Sequence, residues 1–228
     1  FDPAIRPRGD YDGDGRRDFA VYETNGSWFV LSATGAALAW ASTWGGTGLE
    51  PVPGDYDGNR LFDLAVQSET TGAWFVRSLA GTTLAWNTLW GGAGFEPVSG
   101  DFDGDGRYDY ALYHEATGGW YVYSPTNGVL AWGSLWGGAG FEPAPGDYDG
   151  DGRCDYAVYH EATGTWFVRS PVDTIIAWNL AWGGPGFSPV PGDYDGNGRL
   201  DPAVYGDASG LWYALTLESA VLKAGLAF

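Results

Sequence analysis

Asp10, Asp12, Asp14 and Asp18 stand at positions 1, 3, 5 and 9 of a nine-residue stretch, with Gly15 at position 6. The pattern recurs from Asp55, Asp101, Asp147 and Asp193. Alternate side chains on a tightly wound loop point to one centre, and a glycine supplies the positive φ that closes the winding. Carboxylates brought that close repel unless a cation lies between them. A flexible all-oxygen shell suits Ca²⁺ better than Mg²⁺, which keeps its waters and demands an octahedron. The expected side-chain ligands are Asp10, Asp12, Asp14 and Asp18; Asp55, Asp57, Asn59 and Asp63; Asp101, Asp103, Asp105 and Asp109; Asp147, Asp149, Asp151 and Asp155; and Asp193, Asp195, Asn197 and Asp201. The backbone carbonyls of Arg16, Leu61, Arg107, Arg153 and Arg199, at position 7, complete each shell, so about five Ca²⁺ ions are expected.

The charge distribution points the same way. Eighteen of the 29 acidic residues lie in these loops together with six of the eleven Lys and Arg, so the loops carry −12 of the formal charge of −18. Five divalent cations would reduce that total to −8, an ordinary surface charge. The alternative, solvated Asp/Gly turns, fits one such loop as well as a metal site does, but not five copies in register. Loop two is expected to bind most weakly: Asn59 removes a charge and Arg60 replaces the position-6 glycine.

Only one lysine, Lys223, occurs in 228 residues. With no basic patch to grip phosphates, nucleic acid and anionic membranes are not expected partners. No apolar run reaches the roughly 18 residues of a membrane span. The lone Cys154 excludes an internal disulfide framework. The chain has no methionine and starts at Phe1, as expected of a processed or excised product. Calcium sites of modest affinity need extracellular Ca²⁺, so the expected location is outside the cell or on its surface.

The glycines before the loops, Gly9, Gly54, Gly100, Gly146 and Gly192, are spaced by 45, 46, 46 and 46 residues. Almost all of the chain is repeat, predicting one domain over residues 1–228 without linkers. Each unit resolves into four short strands rich in aromatic and β-branched residues; in unit four these include Tyr156–His160, Trp166–Ser170 and Ile175–Trp182. Runs such as Trp74-Phe75-Val76 suggest strands covered on both faces, and no amphipathic helix is evident. Four-stranded units repeated around a closed set make a β-propeller. The expectation is an all-β, five-bladed propeller of four-stranded antiparallel blades with one Asp loop each. The blades cover approximately 4–49, 50–95, 96–141, 142–187 and 188–228, with closure resting on blade 1 packing against blade 5. A parallel β-solenoid is the alternative.

Three tryptophans recur in each of units one to four, as in Trp28, Trp40 and Trp44, while unit five keeps only Trp212. Such regularity favours packing between blades. The Trp-Gly-Gly segments at Trp44, Trp90, Trp136 and Trp182 are nevertheless candidate ligand sites, where an indole could stack on a sugar face. The alternative is that these glycines only let the chain cross between blades.

DxDxDGxxD between two strands, followed by an apolar DxAVY segment, resembles FG-GAP or VCBS-type repeats over essentially the whole chain. The resemblance implies one Ca²⁺ on the loop between the first two strands of each blade, mapping onto the five loops above. The blade count is similar to that of tachylectin-type lectins, which lack such a metal loop, and no sugar-binding motif carries over from related fungal lectins. Three functions are weighed. The first is a non-enzymatic extracellular adhesion or binding module for a protein or, lectin-like, for glycans. The second is a structural subunit of a surface layer or filament that packs against copies of itself. An enzyme is not expected, because almost every carboxylate is a repeat position, and His114 and His160 are equivalent residues beside hairpin turns.

Overall fold

The computed structural model describes residues 8–227. The leader Phe1–Pro7 and the expected start of blade 1 near residue 4 lie outside them. The protein is all-β: a five-bladed propeller of four-stranded antiparallel sheets, with no helix among the described residues.

The first sheet takes β1 (Arg8–Gly9), β2 (Asp18–Tyr22), β3 (Ser27–Leu31) and β4 (Ala37–Thr43) in sequence order. The second is β5 (Glu50–Pro51), β6 (Leu64–Ser68), β7 (Ala73–Arg77) and β8 (Thr83–Leu89). The third is β9 (Glu96–Gly100), β10 (Asp109–His114), β11 (Gly119–Ser124) and β12 (Gly128–Leu135). The fourth is β13 (Phe141–Pro143), β14 (Tyr156–His160), β15 (Thr165–Arg169) and β16 (Ile175–Ala181). The fifth is β17 (Phe187–Pro189), β18 (Ala203–Gly206), β19 (Leu211–Leu215) and β20 (Val221–Ala227). The Asp loops join the first and second strands of each sheet.

Burial falls from the second strand outward. All five residues of β6 are buried, while β7 buries Trp74 and Val76 completely and leaves Phe75 half-buried. β8, paired on one side only, is largely exposed. Coverage on both faces, expected for the apolar runs in general, therefore holds for β6, is broken in β2 by the exposed Phe19, and fails for the fourth strand.

The chain forms two compact units. The first runs to Ser99 and adds Asp105–Leu112 and Tyr123–Gly128; the second comprises Gly100–Gly104, Tyr113–Val122 and the chain from Val129. In the first unit Trp28 of β3 is fully buried against Tyr22, Leu64 and Val66. In the second, Trp166 of β15 is fully buried with Tyr159, Ala144 and Val204. Each core indole also satisfies its N–H. Trp28 donates to the Trp44 carbonyl at 2.8 Å and Trp166 to the Trp182 carbonyl at 2.9 Å. The polar tip of the core tryptophan thus anchors the segment that leaves the blade.

The fourth strands are bulged. Phe29 pairs with Trp40 and Trp28 with Ser42, leaving Ala41 unpaired at φ 52°. Asn87, Gly133, Asn179 and Gly225 hold the equivalent positions at φ 56–68°. One extra residue bends the strand and turns the preceding side chain outward. Glycine enters this conformation without the cost of roughly 1 kcal/mol that alanine incurs. Ala41→Gly should therefore raise the melting temperature by about 2–4 °C and Gly133→Ala should lower it similarly, as measured by calorimetry.

Candidate functional sites

Each Asp loop is wound around its own carboxylates by backbone N–H groups. Asp10 accepts from Gly13 N at 2.6 Å and from Gly15 N at 2.9 Å, one bond to each oxygen. Asp14 accepts from Arg16 N at 2.8 Å, and Asp18 from Tyr11 N at 2.7 Å. Loop four repeats this geometry: Asp147 takes Gly150 N and Gly152 N, Asp151 takes Arg153 N, and Asp155 takes Tyr148 N. Gly13 and Gly15 need the positive φ, 79° and 80°, that this winding imposes. In loop two the arginine that replaces the glycine is held in the same region, Arg60 lying at φ 69°.

Asp10, Asp12 and Asp18 each bring a carboxylate oxygen within 4.8 Å of the others, as do the sets Asp55/Asp57/Asp63, Asp147/Asp149/Asp155 and Asp193/Asp195/Asp201. Asp14 and Asp151 at position 5 stand outside these groups, each turned to the amide two residues on. Asn59 and Asn197 make the same bond, to Leu61 N at 2.7 Å and Arg199 N at 2.8 Å. Loop three, with Asp101, Asp103, Asp105, Arg107 and Asp109, is divided between the two units.

The ninth position is where the charge is hardest to hold. Asp18, Asp63, Asp155 and Asp201 are all buried. Burial, and then Asp57 and Asp55, push Asp63 up to about 7. Burial, and then Asp149, Asp147 and Asp151, do the same to Asp155, and Asp201 is raised for like reasons. Asp18 takes a second amide, Ala33 N at 2.9 Å. The equivalent residue in blade 4 is Pro171, which has no N–H to give, and Asp155 Oδ1 is buried without a hydrogen-bond partner. Three crowded carboxylates with a buried, unpartnered oxygen among them suit a hard divalent cation.

The Trp-Gly-Gly segments are tied down. The Tyr22 hydroxyl donates to Gly46 O at 3.1 Å and accepts from Gly46 N at 2.9 Å; Tyr113 and Tyr159 clamp Gly138 and Gly184 in the same way. The indole N–H groups of Trp44, Trp136 and Trp182 donate to Phe75 O, Phe167 O and Tyr213 O at 3.1–3.2 Å. Trp90 packs on Tyr123 with centroids 5.4 Å apart. These glycine amides and indole N–H groups are thus already engaged. Blade 2 departs from the pattern. Gln67 stands where the clamping tyrosine does, fully buried, with neither end of its amide hydrogen-bonded. Beside it Leu112 crowds Gly91, where Val158 and Val204 occupy the corresponding places next to Gly137 and Gly183. A shorter side chain is matched by a longer one.

What the Trp-Gly-Gly segments do form is the wall of two equivalent clefts. One, of about 330 Å³, is lined by Thr43, Trp44, Gly45, Leu49, Phe75 and Trp86. The other, of about 320 Å³, repeats it with Leu135, Trp136, Gly137, Phe141, Phe167 and Trp178, joined by Thr117 and Val158. Trp86 and Trp178 meet the neighbouring rings edge-on, at 5.8 Å from Trp44 and Trp136 and 5.2 Å from Phe75 and Phe167. Yet Trp86 is 69% exposed and Trp178 67%. Sequence reasoning passed over these fourth-strand tryptophans, because their period is the same as that of the buried ones. Arg77 lies over Trp44 and Arg169 over Trp136, at 5.7 and 5.2 Å. The histidines hold turns: His114 Nδ1 bonds Thr117 Oγ1 at 2.8 Å and His160 Nδ1 bonds Thr163 Oγ1 at 2.7 Å.

No protein-family model matches the chain, and no curated protein is similar to it. Solved structures share its fold. A protein of unknown function from Bacteroides caccae aligns at a TM-score of 0.60 and 11% identity, over 98% of this chain and 82% of that one. A lectin from Agrocybe aegerita, solved for its recognition of non-reducing terminal N-acetylglucosamine, gives 0.57 and 14%, over 99% and 66%. An auxiliary nutrient binding protein from Bacteroides ovatus gives 0.53 and 10%, over 90% and 53%. The chain spans about two thirds of the lectin's length and half of the nutrient binding protein's. At these identities the likeness is one of fold alone.

Two outcomes follow from the site geometry. Asp63 and Asp155 hold protons more tightly folded than unfolded, so in chelator the fold is favoured while they stay protonated and loses that advantage as pH rises from about 4 to about 7. Melting temperature in EDTA should therefore fall between pH 5 and pH 8. At the second junction, Gln67→Tyr alone should destabilise by overpacking against Leu112. The double variant Gln67→Tyr/Leu112→Val should exceed the wild type by about 1–3 kcal/mol, the cost of an unsatisfied buried amide, in urea unfolding.

Proposed function

We propose that the protein is a non-enzymatic extracellular binding module of the FG-GAP or VCBS type, with calcium in the Asp loops stiffening the blades and glycans bound in the aromatic clefts. One observation carries the glycan reading: the same cleft occurs twice at equivalent positions, each walled by a tryptophan about two-thirds exposed. An exposed indole costs solubility unless it meets a partner, and a pyranose ring offers a flat C–H face to stack on it. The lectin of similar fold is consistent with this reading.

The calcium reading draws support from the converging carboxylates and the raised Asp63 and Asp155. Burial first and repulsion second hold those protons, and a cation would compensate the buried charge and relieve the repulsion. Extracellular Ca²⁺ concentrations suit loops of this kind, which supports an extracellular location. A non-enzymatic role is supported by the repetition of the loop carboxylates and by histidines committed to turns. Self-assembly into a surface layer or filament is the second reading. It is favoured by further exposed apolar residues on the fourth strands, among them Trp40, Leu89, Trp132 and Leu135.

The test is a glycan array with about 1 mM Ca²⁺, run on the wild type and on Trp86→Ala and Trp178→Ala. Each substitution should weaken binding by roughly tenfold while changing the melting temperature little, because both side chains are exposed. EDTA should lower the melting temperature and Ca²⁺ should restore it, Mg²⁺ much less so. A calcium-loaded, folded protein that binds no glycan would remove the lectin reading, and indifference to EDTA would remove the metal reading.

A further inference from the structure

Consecutive loops are fastened to one another. In the first unit, Phe62 at position 8 of loop two donates its N–H to the carbonyl of Asp10, the first residue of loop one, at 2.8 Å. Its ring fills the space that a side chain on Gly9 would need, and Leu61 sits 2.9 Å from where Gly13 would carry a Cβ. In the second unit, Leu200 N–H donates to Asp147 O at 2.7 Å, the Leu200 side chain occupies the space beside Gly146, and Arg199 lies 3.1 Å from a Cβ built on Gly150. Tyr108 N–H reaches Asp55 O within the first unit, and Cys154 N–H reaches Asp101 O within the second.

The residues that make these links adjoin the proposed ligands on both sides. Position 7 offers its carbonyl to one cation, and position 8 follows it directly. The carbonyl that accepts the link belongs to the first carboxylate residue of the preceding site, whose side chain takes the amides of positions 4 and 6. At loop four a second feature points to a ligand: Asp155, in the converging group, has a fully buried oxygen without a partner.

We infer that neighbouring cation sites are coupled, so that filling one loop raises the affinity of the loop before it in the chain. This rests on the calcium reading above. An ion bound in loop five fixes Arg199 and Leu200, and with them the Asp147 backbone that loop four must order to bind. The second ion then meets a loop whose ordering is already met, and linkage makes the effect reciprocal. Uptake should therefore be cooperative along the blades.

The experiment is a Ca²⁺ titration followed by ¹H–¹⁵N NMR, reading loop five at the Gly198 amide, loop four at Gly152 and loop two at Gly58. Asp195→Ala disables loop five at an exposed position. It should raise the Ca²⁺ midpoint at Gly152 about fivefold or more and leave Gly58 much less affected. Leu200→Ala keeps every proposed ligand but removes the seat beside Gly146, and should shift Gly152 in the same direction by a smaller factor. An unchanged Gly152 midpoint in Asp195→Ala, with Gly198 silent, overturns the coupling and leaves calcium binding intact. Equal shifts at Gly58 and Gly152 assign the effect to global folding and also overturn it. A wild type whose three amides ignore Ca²⁺ removes the calcium reading instead.

Discussion

Repulsion among carboxylates held at close range is the constraint to which the rest of the structure answers. In each blade the ninth loop residue is both the most buried of the acids and a structural knot. Asp18 opens β2, takes the Tyr11 amide from its own loop and the Ala33 amide from the turn between β3 and β4. One carboxylate therefore joins the loop, the second strand and the far turn. A charge placed there serves the fold only if it is compensated, and amides do part of that work. Where Pro171 withdraws one amide, Asp155 is left to hold a proton or, as we propose, a cation.

The aromatic residues divide the labour according to strand. Third-strand tryptophans fill the core and hand their N–H to the chain that leaves the blade. Of the Trp-Gly-Gly tryptophans, Trp44, Trp136 and Trp182 bridge to the next blade through their own N–H. Fourth-strand tryptophans, turned outward by the bulge, are about two-thirds or more exposed, and the proposed function draws on Trp86 and Trp178 among them. The second glycine of each Trp-Gly-Gly lies at φ 143–148° with or without the tyrosine clamp, since Gly92 beside Gln67 keeps it, and the Gln67–Leu112 exchange shows the same space filled from the other side.

Five Asp loops in register, 45–46 residues apart, determined the blade count, the four-strand unit and the placement of the loops between first and second strands. Repetition makes these legible because each unit must solve the same packing problem with the same residues. The left-handed Arg60 was legible for a similar reason: a position that winds a loop dictates its φ whatever residue occupies it. Other features were not legible in the repeat. Position 5 turns to the amide two residues on, a local bond that the spacing of carboxylates does not distinguish from a ligand position, whereas the Pro171 gap at Asp155 and the links from Phe62 to Asp10 and from Leu200 to Asp147 depend on residues distant in sequence. The three tryptophans of a repeat share one period, so the sequence by itself established their regularity and their number. Which is buried, which bridges and which faces solvent was decided only by the tertiary structure, because burial depends on what the neighbouring strand and blade cover, and an edge strand with a bulge has nothing to cover it.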